Sequence, residues 1–296
     1  MGAEITKPPH QVRTLLAEAA AELTAAGIAD ARIDAEVLLG WCLQKTRTAI
    51  YLAADDVVDA AVAARFHGLL ERRRQREPLA YIIGEREFWS LSFVVSPAVL
   101  IPRPETEFLL EMVLARRNQA GQPGGAWLDL CCGSGVIAVV LARECGRSVI
   151  AADISAAALA VAQANCRRHR VVERVGLVQA DGVSAFRDTA LFSLIVANPP
   201  YIPGGELEAL QPEVSRHEPR LALDGGPDGL RVIATLAQAL PILLAEGGDC
   251  FLEIGADQGD AVIELFTAGG GEPLYESVEI YRDYAGRDRV AHLRRR

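Results

Sequence analysis

A chain of 296 residues that is 50% hydrophobic and 23% charged holds enough apolar material for one large domain, or for one large and one small domain. Its net charge of −9 works against non-specific attraction to nucleic acid, which depends on Lys and Arg neutralising phosphates. No run of about 18 uncharged apolar residues is present to span a membrane. The opening MGAEITKPPHQVRTLL lacks the basic-then-apolar pattern of a secretory signal, and the six cysteines form no C-x-x-C pair, so the chain reads as cytoplasmic with reduced thiols.

From about residue 9 to 77 the pattern is helical. Val12, Leu15, Leu16, Ala19 and Leu23 recur at helical spacing, and Gly27 suits the end of that helix. A second helix is predicted through DAEVLLGWCLQ, with Asp30 or Asp34 near its start. A third is expected after Asp55 and Asp56, which suit an N-cap and first turn. The ERRRQRE run (71–77) reads as a solvated helix face. Pro78 closes this small helical domain, 1–77. Residues 78–105 form the next segment. Within it Phe88, Trp89, Leu91, Phe93 and Val95 lie in a β-prone stretch expected to form a hairpin, and Pro102 and Pro104 stiffen the turn after that stretch.

From 106 to 296 helices and strands alternate. Strands are predicted at AWLDL (126–130), SVIAAD (148–153), VGLVQAD (175–181), LFSLIVAN (191–198) and GDCFLEIG (248–255). Near-continuous apolar strands separated by helices imply a mostly parallel sheet covered on both faces. Near the C-terminus two β-prone runs meet at YAGRD, so the sheet is expected to close with an antiparallel edge.

Three features fall at successive strand ends, where open α/β sheets bind ligands. Between the first strand and its helix stands Asp129-Leu130-Cys131-Cys132-Gly133-Ser134-Gly135. Gly133 and Gly135 allow a tight turn and close backbone approach to a ligand, although a glycine turn at that place is also simply a turn. Asp153 ends the next strand. An acid there is placed to bind both hydroxyls of a ribose; capping the following helix together with Ser155 is the alternative. ANPPYIP (197–203) ends the fourth strand. Two prolines terminate a strand, but they also hold the Asn198 side chain and nearby carbonyls as rigid acceptors able to take both hydrogens of a planar –NH2 group. Tyr201 offers an aromatic face to a flat substrate.

These motifs resemble those of class I S-adenosylmethionine-dependent methyltransferases of the amino-methylating kind. The match implies a Rossmann-like, mostly parallel seven-stranded sheet with an antiparallel C-terminal strand. Further stretches narrow it: PLAYIIGEREFWSLSFVVSPAVLIPRPETE, NPPYIP, EVSRHEPRLALDGGPDGL, LEIGADQG and YAGRDRV are similar to those of bacterial peptide chain release factor N5-glutamine methyltransferases, over about residues 78–290. The resemblance implies methyl transfer from S-adenosylmethionine, leaving S-adenosylhomocysteine, to the glutamine amide of the Gly-Gly-Gln loop of class 1 release factors. Asn198, Pro199, Pro200 and Tyr201 would bind the substrate amide. Asp129, Cys131, Cys132, Gly133, Ser134, Gly135, Asp153, Asp181, Gly182 and Asn198 would meet the cofactor, and Arg103, Thr106 and Glu107 would border it. The helical domain would help recognise the substrate.

Cys131 stands where the family pattern has the first glycine of its loop. A cysteine is strained at positive φ, so the position is expected to need only a small side chain. No nearby histidine or third cysteine completes a metal set. Glu213 and Glu218 either contact the protein substrate or pair with Arg216 and Arg220. His10, His67, His169 and His292 are expected at the surface, and His217 is given no role. The alternatives are a glutamine methyltransferase of ribosomal protein L3, which IPRPETE disfavours, and a DNA adenine-N6 or cytosine-N4 methyltransferase with Tyr201 stacked on a flipped base. A catalytically silent cofactor-binding scaffold is a third. A Rossmann dehydrogenase would leave Asn-Pro-Pro-Tyr without a task. No membrane contact, direct nucleic-acid binding or metal is expected.

Overall fold

The structure is a computed structural model and describes residues 10–117, 124–186, 192–268 and 273–296. The chain divides into two units, residues 1–84 with 212–217, and residues 85–211 with 218–296.

The first unit is helical: α1 Val12–Ala25, α2 Ala31–Leu43, α3 Arg47–Leu52, α4 Ala60–Arg74 and α5 Leu79–Ile83. Leu15, Leu23, Leu38, Leu39, Ile50 and Phe66 make its core and are almost wholly buried. Gly27, at φ 75°, ends α1 in the left-handed conformation that glycine adopts most cheaply. The helix after Asp55 and Asp56 is the fourth, not the third, and its cap is Asp59, whose carboxylate accepts from the Ala61 N–H at 2.8 Å. The short α3 comes before it, capped by Thr46.

The ERRRQRE run is not merely a solvated face. Arg73 is buried and donates to Asp34 at 2.6 Å and to Glu213 at 2.9 Å, and Arg76 donates to the other oxygen of Glu213 at 2.7 Å. Glu213 therefore pairs with arginines about 140 residues away in sequence, not with Arg216. Its short helix (Pro212–His217) accordingly belongs to the helical unit.

The second unit starts with a hairpin, β1 Glu85–Phe88 and β2 Leu91–Val94. Trp89 and Ser90 turn it, both at positive φ. Glu107 accepts from the Trp89 N–H at 2.6 Å, which places that carboxylate at the hairpin turn. Next along the chain are α6 Pro104–Arg117, β3 Ala126–Leu130, α7 Val136–Glu144, β4 Val149–Asp153, α8 Ala156–Arg168, β5 Val175–Gln179, β6 Phe192–Ala197, α9 Pro212–His217 (in the helical unit), α10 Arg231–Leu243, β7 Leu244–Glu253, α11 Gly259–Thr267, β8 Tyr275–Arg282 and β9 Asp288–Arg295.

Seven strands form one sheet in the order β5-β4-β3-β6-β7-β9-β8. The five from β5 to β7 are mutually parallel, and β9 runs antiparallel to both its neighbours. The antiparallel strand is thus inserted between β7 and β8; the edge strand is β8. Alternate strand residues serve two cores. Trp127, Leu194, Val196 and Phe251 pack with α6, α7 and α8. Leu128, Ile195, Leu252 and Leu293 pack with α10 and α11. That division is what a strand period of two requires of a sheet covered on both faces.

His292, on β9, is buried, contrary to the surface expected for it. Its Nε2 lies 2.9 Å from an Asp249 oxygen and its ring stacks on Phe251 at 4.3 Å. Arg116 and Arg294 complete the charge balance around Asp249.

The chain order reverses between β3 and β6. From β3 the chain winds outward through β4 and β5; from β6 it winds the other way. The carboxyl ends of these two strands therefore flank the switch point where such sheets leave a crevice. Leu130 pairs with Ala197, so Cys131 and Asn198 are the next residues off two adjacent strands.

Candidate active site

The loop after β3 is built by backbone bonds to β4. The Cys132 N–H donates to the Ala152 carbonyl at 3.0 Å, and the Gly133 N–H donates to Asp153 Oδ2 at 2.8 Å. To reach both, the chain must reverse at Cys131, which sits at φ 57°. The expectation that this position avoids positive φ is therefore wrong: Cys131 occupies the left-handed region that the glycine of the family pattern would occupy at lower cost, by about 1 kcal/mol. Cys131→Gly is expected to be about 1 kcal/mol more stable than Cys131→Ala in denaturant unfolding, and equal stabilities would refute strain at this turn.

Burial first, then the charges of Asp153, Asp129 and Asp181, push the Cys131 thiol up to about 12. It stays a protonated, poorly nucleophilic group. All six cysteines are free, and among the described residues no group of three or more His, Cys, Asp or Glu could hold a metal ion.

The two glycines of the loop differ in purpose. A Cβ on Gly135 would lie 3.0 Å from the Ala162 Cβ on α8, whereas one on Gly133 would meet nothing within 4 Å. Gly135 lets two helices approach; Gly133 borders open space, as a ligand-facing turn must. Ser134 is buried between them, its carbonyl accepting from the Asn165 amide at 2.9 Å. Asp129 is fully buried. Its Oδ2 accepts from the Ala138 N–H at 3.0 Å, and its Oδ1 has no partner among the described residues. Burial foremost holds its carboxyl well above the usual range.

Asp153 ties the loop after β3 to the start of α8. Its Oδ1 accepts from the Ser155 N–H at 2.9 Å, while Ser155 itself caps α8 by accepting from Ala158 at 3.1 Å. Each carboxylate oxygen has a second lone pair, so these bonds orient the carboxylate without exhausting it. Asp181 and Gly182 follow β5. Asp181 is exposed, and Gly182, at φ 53°, faces open space.

At the end of β6, the Asn198 Nδ2 donates to Thr106 Oγ1 at 3.0 Å. Thr106 in turn donates to Glu253 Oε2 at 2.7 Å, and the Tyr201 hydroxyl donates to Glu253 Oε1 at 3.1 Å. Burial first pushes the Glu253 carboxyl up to about 7, against the pull of these two donors and of Arg289. Asn198 Oδ1 accepts no hydrogen bond from the described residues. Pro199 is buried and Pro200 half-buried. The Tyr201 carbonyl accepts from Gln258 Nε2 at 3.0 Å, and Gln258 accepts from the Gly255 N–H at 2.7 Å.

The segment from 218 to 230 lies alongside. The Ile202 N–H donates to the Leu223 carbonyl at 3.0 Å, and the Gly225 N–H donates back to Ile202 at 2.9 Å. Glu218 pairs with Arg103 at 2.6 Å and accepts from the Ile101 N–H at 3.2 Å. Its partner is therefore Arg103, not the expected Arg220; Arg220 pairs with Asp224.

The structure brings the glycine loop, Asp153 and Asn-Pro-Pro-Tyr to one end of the sheet. Two residues essential to this geometry have no role that their own stretch of sequence reveals. Glu253 lies within LEIGADQG without an assigned part, and Thr106 is placed beside the cofactor only by resemblance. An acid ending an otherwise apolar strand is the available signal for Glu253.

Known proteins share this fold. Residues 104–233 match the family model described as Methyltransferase small domain. A crystal structure of a methyltransferase from Pyrococcus furiosus shares the fold at a TM-score of 0.52 and 16% identity, covering 76% of this chain and 98% of that one. The T. thermophilus 16S rRNA N2 G1207 methyltransferase, solved with AdoMet and guanosine, superposes at 0.51 with 20% identity over 72% and 50%. In fold, and in this matched domain, the chain is similar to methyltransferases.

Residues 14–84 match the model described as PrmC N-terminal domain. The release factor glutamine methyltransferase of Moorella thermoacetica is 46% identical over 94% of this chain and 96% of its own length; that of Geobacter sulfurreducens is 42% identical over 82% and 84%. The chain belongs to the family of release factor glutamine methyltransferases.

Proposed function

We propose that this chain transfers a methyl group from S-adenosylmethionine to the side-chain amide nitrogen of the Gly-Gly-Gln glutamine in class 1 release factors. The carrying observation is the orientation of Asn198. With Nδ2 committed to Thr106, the side chain is left with an acceptor, Oδ1, to meet a primary amide.

The cofactor fits the residues present. Gly133 borders open space, the buried Asp129 Oδ1 has no partner among the described residues, and Asp153 is oriented with lone pairs to spare. In this reading Asp153 holds the ribose hydroxyls, the turn from Cys131 to Gly135 lies against the methionine portion, and Asp181 and Gly182 border the adenine. The bound cofactor supplies a methyl group on a sulfonium, a strong electrophile.

The amide nitrogen is a weak nucleophile because its lone pair is delocalised into the carbonyl. Asn198 Oδ1 and the Pro199 carbonyl each accept one of its two protons, which holds the nitrogen in line for displacement. Both acceptors strengthen as positive charge develops on that nitrogen, so they favour the transition state over the ground state. Pro200 and the Tyr201 ring shape the slot around the flat group. No general base is required before transfer; the product nitrogen loses its proton afterwards.

The helical unit exposes Trp41, Tyr51 and Leu52, and we assign it the task of holding the release factor away from its glutamine loop. Leu52, 86% exposed, should tolerate charge without loss of fold. Leu52→Asp is expected to raise KM for intact release factor about tenfold at unchanged kcat, and an unchanged KM would remove this face from the recognition surface. The cell compartment in this reading is the cytoplasm. No helix among the described residues is long and apolar enough to cross a membrane.

The test is methyl transfer from labelled cofactor to purified release factor, to its Gln→Ala form, to ribosomal protein L3 and to unmethylated DNA. Label on intact release factor alone supports the assignment. Label on L3 or DNA keeps the chemistry and overturns the substrate. Cofactor binding without any transfer would favour a scaffold.

A further inference from the structure

We infer that Glu253 is a positioning residue for methyl transfer: acting through Thr106, it decides which atom of the Asn198 amide faces the substrate. The inference deepens the proposed function and rests on it for its kinetic consequences.

Hydrogen-bond polarity fixes the order of donors and acceptors. An ionised carboxylate only accepts. Thr106 has a single hydroxyl proton and gives it to Glu253 Oε2 at 2.7 Å. Toward Asn198 the same oxygen can then only accept, so the atom that meets it must be Nδ2, at 3.0 Å. Asn198 Oδ1 is thereby turned outward as an acceptor. Tyr201 spends its own proton on Glu253 Oε1 at 3.1 Å, so one buried acid orients both polar side chains of Asn-Pro-Pro-Tyr.

Protonation reverses the chain. A neutral Glu253 can donate to Thr106, which frees the threonine proton to point at Asn198. The amide must then flip to accept it, and Nδ2 faces a substrate that also donates. Two donors opposed cannot hold the glutamine in line.

Among the described residues, α6 presents Thr106 and Glu105 to Glu253; the loop after β6 presents Tyr201; β9 presents Arg289, with Val290 as the paired residue. Burial dominates and pushes the Glu253 carboxyl up to about 7, so the ionised, productive form is lost as pH falls through neutrality. Wild-type kcat should therefore rise with pH and level off above 8, standing at about a tenth of its plateau at pH 6.

The experiment uses the full chain and two readouts. In the kinetic one, Glu253→Gln is expected to lower kcat about ten- to a hundredfold and to abolish the limb near neutrality, because glutamine does not titrate. Thr106→Val should lose as much, and Thr106→Ser should recover most of that loss by restoring the hydroxyl. Cofactor affinity by calorimetry should stay within about twofold in all three variants. The second readout needs no turnover. The Asn198 side-chain amide signals in 15N-labelled protein, assigned by their absence in Asn198→Ala, should shift with pH about a midpoint near 7, and the shift should vanish in Glu253→Gln and in Thr106→Val.

An amide titration without methylation of any release factor would keep the positioning role and overturn the substrate. Methylation with an unaltered pH limb in Glu253→Gln, or with wild-type kcat in Thr106→Val, would overturn the positioning role. Should Glu253→Gln fold poorly, the Thr106→Val and Thr106→Ser pair decides.

Discussion

Asn198→Ala is expected to lower kcat for release factor methylation about 10²- to 10³-fold, the effect of removing one aligned hydrogen-bonding group from a charge-developing transition state. Alanine deletes the outward acceptor and leaves Thr106 Oγ1 without its Nδ2 donor, while the loop from Cys131 to Gly135 and Asp153 keep their own bonds. Cofactor affinity should therefore change little. Stopped-time assays with labelled cofactor, beside calorimetric titration of the cofactor, separate the two. A rate within about threefold of wild type would remove Asn198 from the chemistry. Equal losses of rate and cofactor affinity would instead make it a cofactor ligand alone.

The second large effect lies at a residue with no side chain. Gly229, at φ 78°, has space for no other residue: a Cβ there would stand 2.3 Å from the Tyr201 carbonyl oxygen and 2.6 Å from Gln258 Nε2. Neither atom yields freely. Moving the carbonyl moves the backbone that carries Asn198 and Pro199, and moving Gln258 breaks its bond to that same carbonyl at 3.0 Å. Gly229→Ala is expected to destabilise the chain by about 2–4 kcal/mol and to cut kcat at least about tenfold. Gly286 supplies the control, since it has φ 76° in the turn between β8 and β9 with nothing within 4 Å of its Cβ position. Gly286→Ala should show only the conformational cost, about 1 kcal/mol, and full activity. If denaturant midpoints shift equally in the two variants, the contact with Tyr201 contributes nothing.

Much of the candidate site was legible in the sequence because its parts obey local rules. Glycines between a strand and a helix, an acid ending the next strand, and Asn-Pro-Pro-Tyr ending the fourth are each short patterns with a physical meaning where they stand. A parallel sheet then places strand ends together, so three local patterns lie at one end of the sheet. Cys131 shows the limit of that reading. The residue type argues against positive φ, but two bonds to β4 outweigh its preference, and only the folded loop shows them.

Polar partnerships across long sequence separations were not legible. Thr106 and Glu253 are 147 residues apart, and nothing near either names the other. Glu213 seeks Arg73 and Arg76 in the helical unit, and Glu218 takes Arg103; proximity in sequence pointed to nearer arginines. His292 sits on a strand whose charged flanks suggested the surface. It is buried because β9 is inserted between β7 and β8 with α6 and α11 packed over its faces, and a carboxylate, Asp249, lies on the neighbouring strand.

By itself the sequence determined the alternation of helices and strands, the two-sided burial of the sheet, and the chemical identity of the groups at its strand ends. Periodicity and backbone preference are properties of neighbouring residues, and neighbours are what a sequence displays. Tertiary structure alone decided the direction of the hydrogen bonds that aim those groups. Which atom of Asn198 faces outward depends on a proton held by Thr106 and an acid on another strand. That polarity exists only once strands distant in the chain lie side by side and water is excluded from between them.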